Sequence, residues 1–129
     1  MPRPPATTPT DTELRILRVL WDRGPCTVRQ VHESLSAKRG TGYTTTLKML
    51  QIMADKKLVA RDESQRSHVY HARLSEERAH RILVRHMLSG AFDGSTQKLV
   101  MHALSAKKVS AAELKQIRRL LDELEAKGQ

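Results

Sequence analysis

Apolar residues in this chain recur at three- and four-residue spacings in six stretches, interrupted once by two short runs of β-favouring type. Helical period dominates. The first stretch carries Leu14, Leu17, Leu20 and Trp21 and is stopped by "RGP" at 23–25, while Thr10 and Glu13 ahead of it have capping-box spacing. In such a box the hydroxyl and the carboxylate each take a backbone N–H that the helix start leaves unpaired. Thr27 and Gln30 repeat the device around Val28, Val31 and Leu35, which predict a short second helix. The connection "SAKRGTG" then leads into a third helix from about Thr44 to Lys56, with Thr44 as its expected N-cap.

The segments "LVARDESQ" and "SHVYHARL" predict an antiparallel hairpin with a polar connection around Ser64 to Ser67. Helix returns after it. Ser75 is placed to cap a segment holding Ala79, Ile82, Leu83 and Met87, ended by the glycines of "SGAFDG". Ser95 precedes another with Leu99, Val100, Ala103 and Leu104. A third capping box, Ser110 and Glu113, opens the last helix, whose Leu114, Ile117, Leu121 and Leu124 form one narrow stripe.

Three short helices followed by a two-stranded hairpin are the element order of a winged helix-turn-helix, whose last helix of the three enters the DNA major groove. The chain is therefore expected to be mainly α with a small β-hairpin. Residues 1–9, with four of the five prolines, predict a disordered arm, 10–75 a winged-helix DNA-binding domain, and 76–129 a helical dimerisation module.

The third helix has two chemical faces. At 100° per residue Thr46, Met49, Leu50 and Met53 gather on one side, and Thr44, Lys48, Gln51 and, near the edge, Thr45 on the other. Lys donates to guanine O6/N7, Gln pairs with adenine N6/N7, and Thr offers a hydroxyl and a methyl to phosphate or thymine. Tyr43 at the helix start, Lys38 and Arg39 in the preceding connection, and Arg66, Ser67 and His68 at the hairpin tip complete the candidate DNA-binding set. The plainer reading makes the same positions a solvated surface on which threonine only caps a helix.

Charge narrows the partner. The 129 residues carry a net charge of +9, which fits nucleic acid but also an acidic protein or a membrane surface. Residues 1–75 hold 13 Lys and Arg against 7 Asp and Glu, whereas 76–129 hold 10 against 7, so the excess is heavier where DNA contact is expected. An adaptor with a basic face remains the alternative, although it accounts for neither the Lys/Gln/Thr face nor the basic hairpin tip.

No Gly-rich phosphate loop, nucleophile elbow or close carboxylate pair appears, and the six histidines form no recognised ligand set, so no enzyme, metal or cofactor is expected. Cys26 is the only cysteine and reads as a small, partly buried residue. There is neither an apolar run long enough for a membrane span nor the apolar centre of a signal peptide, which predicts a cytoplasmic protein.

The last three helices are too few to enclose a core. Their stripe residues Ile82, Leu83, Met87, Leu99, Val100, Leu104, Leu114, Ile117, Leu121 and Leu124 are the expected dimerisation set: Leu114, Ile117, Leu121 and Leu124 would be wet in a monomer, and a second copy covers them. The alternative is that these helices fold back on the winged domain of the same chain.

The runs "TELRILRVLWDRGPCTVRQVHESL", "GYTTTLKMLQIMADKKLVARDESQRSHVYHA" and "LSAKKVSAAELKQIRRLLDEL" resemble, in order and spacing, the BlaI/MecI/CopY penicillinase-repressor family of bacterial transcription regulators. The resemblance implies a dimeric winged-helix repressor on an inverted-repeat double-stranded DNA operator, with the C-terminal helices making the homodimer. In some members it also implies release by a membrane sensor metallopeptidase that triggers cleavage in the dimerisation module. The Asn-Phe bond of that mechanism aligns with His102-Ala103 here, so neither residue matches. No cysteine follows Cys26, which excludes the copper-responsive mechanism of another branch. Lys57 stands where the family commonly has Gly after the third helix, so either it accepts a left-handed turn or the turn differs.

Overall fold

The computed structural model describes residues 8–39 and 42–128, with side chains of 36–39 outside the described set. Its elements run α1 (Asp11–Arg23), β1 (Cys26–Thr27), α2 (Val28–Arg39), α3 (Tyr43–Asp55), β2 (Val59–Asp62), β3 (Val69–Ala72), α4 (Glu76–Ser89), α5 (Thr96–Ser105) and α6 (Ala111–Gly128). The fold is mainly helical with a small antiparallel sheet, a winged helix-turn-helix arrangement. Two compact units divide at Met87 and Leu88, so the first continues into α4.

The caps start the helices where the spacings place them. Thr10 Oγ1 accepts the Glu13 N–H at 3.2 Å while Glu13 Oε1 accepts the Thr10 N–H at 2.9 Å, and Thr27 and Gln30 make the same reciprocal pair. Ser75, Ser95 and Ser110 each accept the N–H three residues on. Gly24 ends α1 at φ 82°, a left-handed value suited to glycine, and its N–H bonds Leu20 O at 2.9 Å.

The core of the first unit joins Ile16, Leu17 and Leu20 of α1 to Val31, Leu50, Met53, Leu58, Val59 and Tyr70. It differs from the expected α1 stripe: Ile16 is buried, Leu14 only partly, and Glu13 lies 1% exposed beside the apolar residues. Trp21 is half-buried, and its indole N–H donates to Leu74 O at 2.9 Å. Ala79 of α4 is fully buried in this same core.

Two further differences concern connections. The segment expected as a linker stays helical through Arg39, and β1 adds a third strand that the sequence reading did not contain. The strand order is β1-β3-β2, with Cys26 opposite Tyr70, Thr27 opposite Val69, and Val59 opposite Ala72. Thr27 thus serves as both a strand residue and a helix cap, which ties the tip-side end of β3 to the start of α2.

Lys57 does take the left-handed turn, at φ 65°. Its N–H bonds Ala54 O at 3.0 Å and the Leu58 N–H bonds Met53 O at 2.9 Å, the paired closure of a Schellman motif. Met53 and Leu58, the residues this turn brings together, are both buried.

In the second unit Phe92 lies 5.8 Å from the His102 ring, ahead of and within α5. No residue of α5 or α6 is buried. Val100, Met101, Leu120, Leu121 and Leu124 are all exposed, whereas Leu99, Leu104, Leu114 and Ile117 are partly covered. Among the described residues no helix is long and apolar enough to cross a membrane.

Candidate nucleic-acid interface

Packing divides α3 as its periodicity requires. Thr46, Leu50 and Met53 are buried, Leu47, Met49 and Ala54 are half-buried, and Thr44, Thr45, Lys48, Gln51, Ile52 and Asp55 are exposed. The N-cap is Gly42, with no side-chain cap bond, rather than the expected Thr44. Gly42 O instead receives the Thr46 N–H at 3.1 Å and the Thr46 hydroxyl at 3.3 Å. Thr44 therefore lies inside the first turn, and its hydroxyl is not committed to capping. Tyr43 begins the helix, half exposed, with its ring edge-on to His32 at 5.8 Å.

The hairpin presents residues 61–68 to solvent. Asp62 Oδ1 accepts the Ser64 N–H at 2.9 Å and turns the chain out of β2. That backbone bond, then the Ser64 hydroxyl, holds the Asp62 carboxyl below its ordinary range. Arg61 is held in its charged form first by the Tyr70 side chain and then by Glu63, whose carboxylate lies 3.1 Å away. Burial raises the Cys26 thiol, partly offset by Arg23, so Cys26 is a core residue with no reactive character.

One groove of about 530 Å³ joins these parts. Tyr43 and Gln51 of α3 line it together with Arg66, Ser67 and His68 of the hairpin tip. Two cations missing from the sequence reading, Arg29 of α2 and Arg61 of β2, also line it. Arg61 carried a readable signal, since strand alternation puts it on the face opposite Ala60; Arg29 carried none beyond its charge.

The other expected residues are elsewhere. Thr44 and Lys48 are exposed but do not line the groove, while Thr45 borders a separate recess of about 330 Å³ with Arg15 and Arg18. The side chains of Lys38 and Arg39 lie outside the described residues. Among the described residues no group of three or more His, Cys, Asp or Glu is arranged to hold a metal ion.

A groove walled by a helix bearing Gln and Tyr and by an Arg-bearing wing presents donors, a ring and positive charge to one ligand. That combination suits the edges and backbone of a duplex, whose phosphates demand cations while its bases demand directed donors.

Comparison with known proteins agrees. The family profile described as Penicillinase repressor matches residues 9–123. The chain is 39% identical over 120 residues, 90% of its length, to the transcriptional regulator BlaI from two Mycobacterium tuberculosis strains, CDC 1551 / Oshkosh and ATCC 25618 / H37Rv, and covers 84% of each. A solution structure of the DNA-binding domain of the repressor BlaI overlays 60% of this chain and 93% of that one, at TM-score 0.50 and 23% identity, which shows a shared fold.

Proposed function

The chain belongs to the penicillinase repressor family, and from that premise we propose a sequence-specific repressor that acts as a homodimer on an inverted-repeat operator. The coarser part is direct: this is a DNA-binding transcriptional regulator, and its relatives are regulators rather than enzymes. The observation that supports sequence-specific contact is the groove that α3 and the hairpin tip line together.

In this reading residues 10–75 bind DNA and 76–129 make the dimer, while most of the arm expected over 1–9 lies outside the described residues. Lys48 and Gln51 meet base edges, Tyr43, Thr44 and Thr45 meet phosphate or base, and Lys38, Arg39, Arg66, Ser67 and His68 hold the flanking backbone. The homodimer rests on the exposed apolar residues of α5 and α6, which a second copy covers. A two-fold dimer then requires two half-sites in opposite orientation.

The test is a gel shift of the full chain on its own promoter region, with salt titration and excess random DNA. The expected result is one inverted repeat held at least about a thousandfold tighter than random duplex. Equal affinity for both would remove the repressor reading and favour a basic adaptor.

Release by proteolysis is a second proposal, with a membrane sensor metallopeptidase as partner. The supporting observation is that His102 and Ala103 are both exposed on α5. A gene for such a peptidase beside this one, and fragments cut between these residues after induction, are expected. A chain that stays intact throughout induction rules this route out.

A further inference from the structure

The packing needs of α3 are met without Ile52. Leu50, Met53 and Thr46 fill the core side, yet Ile52 is 37% exposed among polar neighbours. At 100° per residue Gln51, Asp55, Lys48 and Ile52 share an outward arc of about 100°. All four are exposed. A β-branched residue adds nothing to helix propensity at such a position, and its hydrocarbon gains free energy only when an apolar group covers it.

The surroundings define what can cover it. Lys48 stands one turn before Ile52 and Asp55 about one turn after it, and Arg29, Arg61 and Arg66 line the groove that Gln51 shares, so cations outnumber the arc's one carboxylate and the ligand on this side is anionic overall. It must also offer an isolated apolar point beside hydrogen-bonding edges. In the major groove that point is the thymine C5-methyl, which aliphatic side chains recognise by contact.

We propose that Ile52 reads a thymine methyl group and sets a preference for thymine at one base pair of each half-site. The inference rests on the repressor reading and deepens it: Lys48 and Gln51 supply hydrogen bonds, and Ile52 supplies the apolar contact at the edge of the arc beyond Lys48. A protein partner would have to match the same arc with both acidic and apolar groups, an outcome the following experiment separates.

The experiment first selects the preferred duplex from random DNA with the full-length protein. Each thymine in one half-site is then replaced singly by uracil, which removes a methyl and leaves every hydrogen-bonding group in place. The expected result is one position at which uracil weakens binding about fourfold, the weight of one buried methyl group. Ile52→Ala should bind the thymine operator as weakly as the parent binds the uracil one, and should no longer distinguish the two bases there. Ile52→Val, which keeps a branched apolar surface, should still distinguish them.

A uracil effect of equal size in the parent and Ile52→Ala would assign the methyl contact to another residue and overturn the proposal. Absence of any uracil-sensitive position would overturn it while leaving the repressor reading intact. Failure to enrich any sequence at all would remove both.

Discussion

Lys56 Nζ lies 2.8 Å from Glu13 Oε2, so the C-terminal cap of α3 is held by a carboxylate from the first turn of α1. Glu13 is 1% exposed and Lys56 about a third exposed, which makes the pair one-sided. The other Glu13 oxygen caps α1 through Thr10, and one side chain thereby ties the end of α3 to the start of the fold.

Lys56→Met should destabilise the protein by about 2 kcal/mol, because a buried carboxylate loses its counter-charge while water reaches it only from the Lys56 side. Glu13→Gln should cost about 1 kcal/mol, since the amide still accepts the Thr10 N–H and leaves no buried charge. Urea unfolding checks the order, and an equal or reversed pair of losses would show that desolvation of Glu13 does not dominate.

Under the proposed contact of Lys48 with a base edge, Lys48→Ala should lower operator affinity by about 1 to 3 kcal/mol and relax base discrimination. Arg66→Ala should weaken all sequences alike and reduce the salt slope by about one, as loss of a phosphate contact does. Anisotropy titrations at several salt concentrations distinguish them. The same pattern from both variants would mean that α3 and the hairpin tip have been given the wrong roles.

Leu121→Asp should yield monomers in sedimentation, since it places a charge in the middle of the α6 stripe. Leu121 is exposed by about half, like Leu120 and Leu124, so the substitution removes little packing within the chain. A dimer that persists would locate the interface elsewhere.

Lys57→Gly should stabilise the fold by about 1 kcal/mol, the cost of holding a side-chain-bearing residue in the left-handed region. The Schellman bonds from Lys57 and Leu58 involve only backbone and survive the change. Thermal unfolding is the readout, and an unchanged or lower midpoint would contradict strain at φ 65°.

The sequence by itself determined where every helix but α3 is capped, which residues α3 turns inward, where the hairpin lies, and that α6 carries a narrow apolar stripe. These are local properties: a cap needs residues three apart, and a helix face needs only the 100° step. The family's preference for Gly at position 57 raised a left-handed turn there as one of two possibilities, and the structure chose it. Tertiary structure alone decided that Glu13 is buried against Lys56, that Cys26–Thr27 pairs with β3, and that Gln51 shares a groove with Arg29, Arg61 and Arg66. It also moved the α3 cap from Thr44 to Gly42 and left Ile52 more than a third exposed. Contacts between residues far apart in the chain depend on how the elements pack against one another, and periodicity within each element carries no information about that packing.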